Sequence, residues 1–341
     1  MNYYIKTISK SIYQIGFFSY GVSLLFIALS VLIYAQSRIF SNNDIQVELN
    51  KNLNLMDSYD NADLNKEETT IAYDSTFQEN NDSFNINDLK NIFSKYSYAV
   101  ENVRIEKKVP NIIISKLPID FSLIESTNEK KNLFIQSILP LIIKENNKIV
   151  QLNQNIKDIK NNVFDYTSRE NALFLKKMYK QYKVKTQNID ELIVKVDVIP
   201  ASIALAQAAL ESGWGTSRFV LEGNALFGQW SWFKGSGIVP EQRDAEESHE
   251  IKIFSTLRGS VAAYMKNLNS NNNYDDFRLA RNLYRKNNIG IDAIELTSHL
   301  SKYAERANYS SMLKTIIFEN KLQDFDKAKL LPSSIKLESL I

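Results

Sequence analysis

The chain of 341 residues contains no cysteine. Disulfides, thiolate metal sites, iron–sulfur clusters and cysteine nucleophiles are excluded together. It has only two histidines, His249 and His299. A metal site built on two or three histidines is thereby almost excluded, and a Ser-His-Asp hydrolase would have to use one of the two. Neither histidine has a partner at metal-ligand spacing, so no metal and no cofactor is expected, and both read as structural. A basic excess is missing too: 41 Lys and Arg face 39 Asp and Glu, a net charge of +2. Nucleic-acid binding normally shows as a strong surplus of positive charge, so no nucleic-acid partner is expected. There is no Gly-rich phosphate loop and no internal repeat. Carboxylate chemistry remains, or no chemistry.

What is there begins with a long apolar run. Residues 11–37 carry no charge, and the densest part, 17–35, reads FFSYGVSLLFIALSVLIYA. As a helix these nineteen residues span about 28 Å, close to the thickness of a bilayer core. Lys6 and Lys10 precede it, which predicts a cytoplasmic N-terminus up to residue 11 and export of the rest. Two readings compete for 12–36: a transmembrane signal anchor in the inner membrane, or a cleaved signal peptide with Ile33-Tyr34-Ala35 as the cleavage site. The length of the run favours the anchor, with the body in the periplasm.

Residues 42–100 hold 11 acidic against 4 basic side chains and many Asn and Ser. Such a stretch offers little apolar surface to offset the entropy of ordering. Residues 37–106 therefore read as a mostly disordered linker, about 40 Å of tether, with transient helix near 86–93. From 107 the pattern turns helical. VPNIIISKLP, between Pro110 and Pro118, reads as an extended entry. Apolar spacing predicts a helix over 129–160, kinked or divided at Pro140, a second over 169–182 and a shorter element over 189–198. Strand signal is confined to 238–254. The body thus reads as a helical subdomain over 107–195, a second domain over 196–322 and a tail over 323–341.

The stretch 198–232, VIPASIALAQAALESGWGTSRFVLEGNALFGQWSW, carries the chemistry. Pro200 suits the start of a helix. Residues 201–210 are apolar nearly all round, which predicts a buried helix, and Gly213 and Gly215 end it. This places Glu211 at the C-terminal end of a buried helix. Burial and the negative end of the helix dipole both raise a carboxyl pKa. A glutamic acid kept protonated near neutral pH can protonate a leaving oxygen. The plainer reading, a solvated residue at a helix end, is open on spacing alone.

ALAQAALESGWGTSRF followed by GNALFGQW resembles the glucosaminidase domain of glycoside hydrolase family 73, closest to its Bax-type branch. VPNIIISKLP, KKNLFIQSILPLI, the H-x-I-x-x-F of 249–254, SVAAYMKNLN and HLSKYAERANYSSML resemble the same branch in the same order, over about 107–318. The resemblance implies a mainly α (α+β) fold: a lysozyme-like catalytic domain with a small β-hairpin lobe over the cleft. It implies an endo-β-N-acetylglucosaminidase acting on β-1,4 bonds next to N-acetylglucosamine, with peptidoglycan the expected substrate. Glu211 matches the family's general acid. Tyr303 matches the tyrosine that faces it. Asn224 matches the Asn that packs under and lines the cleft, and Tyr309 matches a second tyrosine, read chiefly as packing beside the substrate. Gly228 is read as a point of close backbone approach. Trp214, Trp230 and Trp232 are candidates to stack on sugar faces, with core packing as the competing reading.

A second carboxylate is sought in KGSGIVPEQRDAEESHEIKIF, which holds Glu241, Asp244, Glu246, Glu247 and Glu250. Glu241, after the Pro240 turn, and Glu250, in the strand-like HEIKIF, rank first. Assistance by the substrate's N-acetyl group would need neither. Three alternatives stand beside the glucosaminidase reading: a muramidase or lytic transglycosylase on the same fold, a non-catalytic wall-binding scaffold, and an anchored protein whose linker recruits a partner.

Overall fold

The computed structural model describes residues 84–161, 168–233, 235–240, 249–304 and 306–332. The expected anchor, 12–36, lies outside them, as does the linker up to residue 83. Among the described residues no helix is long and apolar enough to cross a membrane.

The chain enters through α1 (Ile86–Lys95). Asn85 caps it by accepting from the Asn87 and Asp88 amides, and Asp88 accepts in return from the Asn85 amide. This reciprocal cap satisfies donors that a helix start otherwise leaves open. Next come α2 (Val100–Glu106) and a two-residue strand, β1 (Lys108–Val109). Leu89, Phe93, Val100 and Val103 are buried. The last part of the stretch read as linker, 84–106, is therefore folded. The acidic, Asn-rich average hid two short apolar faces.

After a 3-10 turn at Ile119–Leu123, α3 (Thr127–Lys160) runs 34 residues. Of the two outcomes expected at Pro140, a kink or a division, the division does not occur. A proline inside a helix costs about 3 kcal/mol. Ile138, Leu139, Leu141 and Ile142 around it are fully buried, and each contributes about 1.5–3 kcal/mol. Burial wins. Then follow α4 (Arg169–Gln181), α5 (Ile189–Lys195), α6 (Ala201–Ser212) and α7 (Arg218–Gly223). Three short strands, β2 (Trp230–Ser231), β3 (Gly237–Ile238) and β4 (Glu250–Lys252), form an antiparallel sheet in the order β2-β4-β3. The chain ends through α8 (Leu257–Ser270), α9 (Asp275–Lys286), α10 (Ala293–Leu296), a 3-10 segment Thr297–Tyr303, α11 (Tyr309–Glu319), a 3-10 turn Leu322–Phe325 and β5 (Lys329–Leu330).

The fold is mainly helical with two small sheets, and α6 lies at its centre. Nearly every residue of α6 is buried, against α3, α11 and the 322–325 turn. α3 also packs on α8. The regions read as a helical subdomain and a separate 196–322 domain thus share one core, and the described residues fall in one compact unit. The expected tail at 323–341 belongs to that unit as far as it is described. Phe325 is fully buried, β5 pairs in parallel with β1, and Asp326 accepts from both the amide and the hydroxyl of Ser202. Pro200 has no side-chain cap to offer α6, so Asp326 supplies one from 124 residues away.

Arg281 on α9 locks the approach to α6. It is fully buried and donates to the carbonyls of Val194, Asp197 and Val198 and to Asn269 Oδ1. Desolvation lowers its pKa to about 10, and the Asp197 charge acts in the opposite direction.

Candidate active site

α6 ends in three successive left-handed residues: Gly213 (φ +58°), Trp214 (φ +58°) and Gly215 (φ +83°). Gly215 is required there twice over. Its φ disfavours a side chain, and a Cβ would lie 2.7 Å from Leu117 and 3.0 Å from Phe134. The tight exit leaves Glu211 in the last helical turn, half-buried, at the negative end of the helix. Burial raises the Glu211 pKa above the ordinary carboxylate range. The Tyr309 hydroxyl and the Arg306 charge only partly oppose it.

Tyrosines surround this carboxyl group. Tyr309, the first residue of α11, donates to Glu211 Oε1 at 2.8 Å. Its oxygen accepts from Gln207 Nε2 at 3.0 Å, and Gln207 Oε1 accepts from the Tyr264 hydroxyl at 2.6 Å. Gln207 is one helical turn before Glu211 on the same face of α6, and it is fully buried. Tyr303 stacks on Tyr309 with ring centroids 5.6 Å apart and donates to the Phe227 carbonyl at 3.1 Å. Tyr264 stacks on Phe227 at 3.8 Å. Burial raises the phenol pKa values of Tyr264, Tyr274, Tyr303 and Tyr309, and the Glu211 charge adds to each. All four are neutral hydroxyls at working pH. Gly228 (φ +59°) runs beside the other carboxyl oxygen: a Cβ there would sit 3.7 Å from Glu211 Oε2. Oε2 has no hydrogen-bond partner among the described residues, so one oxygen of Glu211 is held and the other is open.

Residues 186–322 match the Glucosaminidase family model, described as mannosyl-glycoprotein endo-beta-N-acetylglucosaminidase. Protein bax of Escherichia coli (strain K12) is 32% identical over 216 residues, which cover 60% of this chain and 75% of that protein. The chain belongs to the Bax-type glucosaminidases of glycoside hydrolase family 73. It is a glycosidase by family. The catalytic domain of the autolysin Auto from Listeria monocytogenes is 22% identical, over 51% of this chain and 97% of that one, with a TM-score of 0.31. A likeness that low carries no argument about the fold.

In this Bax-type glucosaminidase both expected tyrosines lie near Glu211, and Tyr309 is the one that hydrogen-bonds it. Tyr309, read as packing, holds Glu211, while Tyr303, expected to face it, braces Tyr309 and binds a backbone carbonyl. Asn224 (φ +52°) closes α7. Its Nδ2 donates to the Phe254 carbonyl at 2.9 Å, tying α7 to the end of the sheet, while its Oδ1 is buried without a partner among the described residues. It braces the sheet side of the fold. Trp214 meets Phe134 edge to face at 5.6 Å, with Lys131 Nζ 4.9 Å from its ring centroid. Those contacts pack it against α3.

Trp230 and Trp232 are different. They are 51% and 66% exposed and meet edge to face at 5.7 Å, and Trp230 stacks on His249 at 4.2 Å. This open aromatic platform on the small sheet leaves His249 as the support beneath Trp230. His299 borders an apolar groove between α9 and α10.

Glu250, ranked with Glu241 as a second acid, is held by backbone amides. It is buried, and its two carboxyl oxygens accept from the Gly235 and Gly237 amides at 2.9 and 2.8 Å. An anchor for the turn between β2 and β3 is the role its contacts give it. Glu241 and the acidic residues through 248 lie outside the described residues. Among the described residues no cluster of three or more His, Asp or Glu could hold a metal.

Sequence reasoning missed Gln207 and Tyr264. Gln207 did leave a signal. It is the one amide in the apolar run ALAQAAL, four residues before Glu211, and a buried amide needs partners.

Proposed function

We propose that this chain cleaves the β-1,4 bond next to N-acetylglucosamine in a polysaccharide, with peptidoglycan as the substrate and Glu211 as the general acid. The half-buried carboxyl group, raised in pKa and with one oxygen open, carries this reading. A protonated Glu211 gives its proton to the glycosidic oxygen, and the electron pair of the C1–O bond goes to that oxygen. Water adds its hydroxyl to C1, and its remaining proton restores Glu211 in the net balance. The water is activated by a loop carboxylate, with Glu241 and Glu250 first in rank; alternatively the substrate's N-acetyl oxygen bonds to C1 as the C1–O bond breaks, and water then opens that intermediate. Trp230 and Trp232 supply flat apolar faces suited to the C–H faces of sugar rings. We also propose that 12–36 anchors the chain in the inner membrane, with the body in the periplasm beside the wall. The uncharged nineteen-residue core of that segment supports this placement.

Incubating the full chain and its Glu211→Gln form with peptidoglycan, and reading the released ends by mass spectrometry, tests the reading. Reducing N-acetylglucosamine ends that vanish in the variant are expected. Anhydro-muramic ends would move the enzyme to the transglycosylases. Release that survives in the variant would remove Glu211 as the acid.

A further inference from the structure

We propose that Gln207 is a positioning residue: by occupying the acceptor side of Tyr309 it aims that hydroxyl at Oε1 of Glu211, so that Oε2 is the oxygen that carries the transferable proton. This rests on Glu211 being the general acid. A phenol has one hydrogen to give. With Gln207 Nε2 donating to its oxygen at 3.0 Å, Tyr309 directs that hydrogen to Glu211 Oε1 at 2.8 Å. Gln207 is oriented in turn, because its Oε1 accepts from Tyr264 at 2.6 Å and a carbonyl oxygen can only accept. The order Tyr264, Gln207, Tyr309, Glu211 therefore has one direction, and all its donors point toward the carboxyl group. An oxygen that already accepts a hydrogen bond is the poorer place for the acidic proton. The proton goes to Oε2, beside Gly228 and open to substrate.

The relay serves both halves of the proton transfer. Before transfer it keeps the proton on the open oxygen. As the proton leaves Oε2 for the glycosidic oxygen, negative charge develops on Glu211, where a donor is already aimed, so no group reorients in the transition state. The other groups facing Glu211 are Arg306, whose charge favours the ionised form, and the neutral phenols Tyr264, Tyr274 and Tyr303. Among the described residues, none of these hydrogen-bonds the carboxyl group.

The test compares the full chain with Gln207→Met, which keeps length and removes both polar atoms, and with Tyr264→Phe, which removes only the first donor and keeps the ring stacked on Phe227. The readouts are the pH profile of kcat/KM on peptidoglycan fragments and the carboxyl 13C titration of labelled glutamates, with Glu211→Gln identifying the Glu211 signal. Without an aimed donor the ionised form is less stabilised. In Gln207→Met the basic limb and the 13C titration move upward together, and kcat falls about 10- to 100-fold with KM within about twofold, the range of a hydrogen bond to a charged group. Tyr264→Phe moves both in the same direction by less. If Gln207→Met does not fold, Tyr264→Phe decides. A lower Tm with an unmoved limb and an unmoved 13C titration would make the relay structural only and overturn the proposal. Activity surviving in Glu211→Gln would instead overturn the assignment of the acid itself.

Discussion

At the scale of single residues, the account turns on what surrounds one carboxyl group. Burial raises the Glu211 pKa and the Tyr309 hydroxyl works against it. Tyr309→Phe should therefore move the basic limb of the kcat/KM profile upward by about one to two pH units, the equivalent of a lost hydrogen bond to a charged group; a profile recorded over pH 4–9 checks this. The same shift has a consequence for stability. Glu211 holds its proton more tightly folded than unfolded, so its contribution is fully present below the unfolded pKa and is lost as pH rises through the folded one. Glu211→Gln should thus abolish turnover, by about 10²–10⁴-fold or more, and yet melt no lower than the natural chain at pH 7. The difference should shrink toward pH 4 in thermal melts. The position of Glu211, at the end of an apolar helix before two glycines, was legible in the sequence; the role of acid came from the family resemblance, because spacing alone left a solvated helix-end residue open. Which tyrosine holds it was not legible. Tyr303 and Tyr309 are six residues apart, one ending a 3-10 segment and one opening a helix. Only the turn between them decides which hydroxyl points at α6. The partners of Glu250 were hidden for a related reason. Nothing in its own strand shows that the Gly235 and Gly237 amides, more than a dozen residues back, donate to it.

At the scale of elements, α6 illustrates how local and distant chemistry combine. Its apolar run, its proline start and its glycine stop are all in the sequence. Its N-terminal cap is not, because Asp326 arrives from the far end of the chain. Asp326→Ala should lower stability by about 1 kcal/mol, as the loss of a helix cap does. That corresponds to about 2–4 °C in Tm for a body of this size, with kcat unchanged, which calorimetry and a turnover assay together would show. α3 was legible in place and extent but not in continuity. Helix-breaking by proline is a local cost, whereas the burial that outweighs it depends on α6 and α8 packing against α3.

At the scale of the whole molecule, the sequence divided the chain where composition changes, and the fold does not follow composition. α1 and α2 lie in a stretch that averages acidic and Asn-rich. The Asn85 and Asp88 cap and the pair Leu89 and Phe93, four apart, marked a helix there at a scale the average conceals. Leu89, Phe93, Val100 and Val103 together bury side chains worth about 6–12 kcal/mol, comparable to the total stability of a domain. A piece covering 107–322, the limits that composition favours, should therefore fail to fold, whereas 84–332 should unfold cooperatively; circular dichroism and thermal melts of the two separate the cases. The most direct test of the central claim is the digestion of purified peptidoglycan by the natural chain and by Glu211→Gln, with the new ends identified by mass spectrometry. Reducing N-acetylglucosamine ends from the natural chain, and none from a folded Glu211→Gln, are the predicted result. The same ends released at an undiminished rate by Glu211→Gln would contradict it.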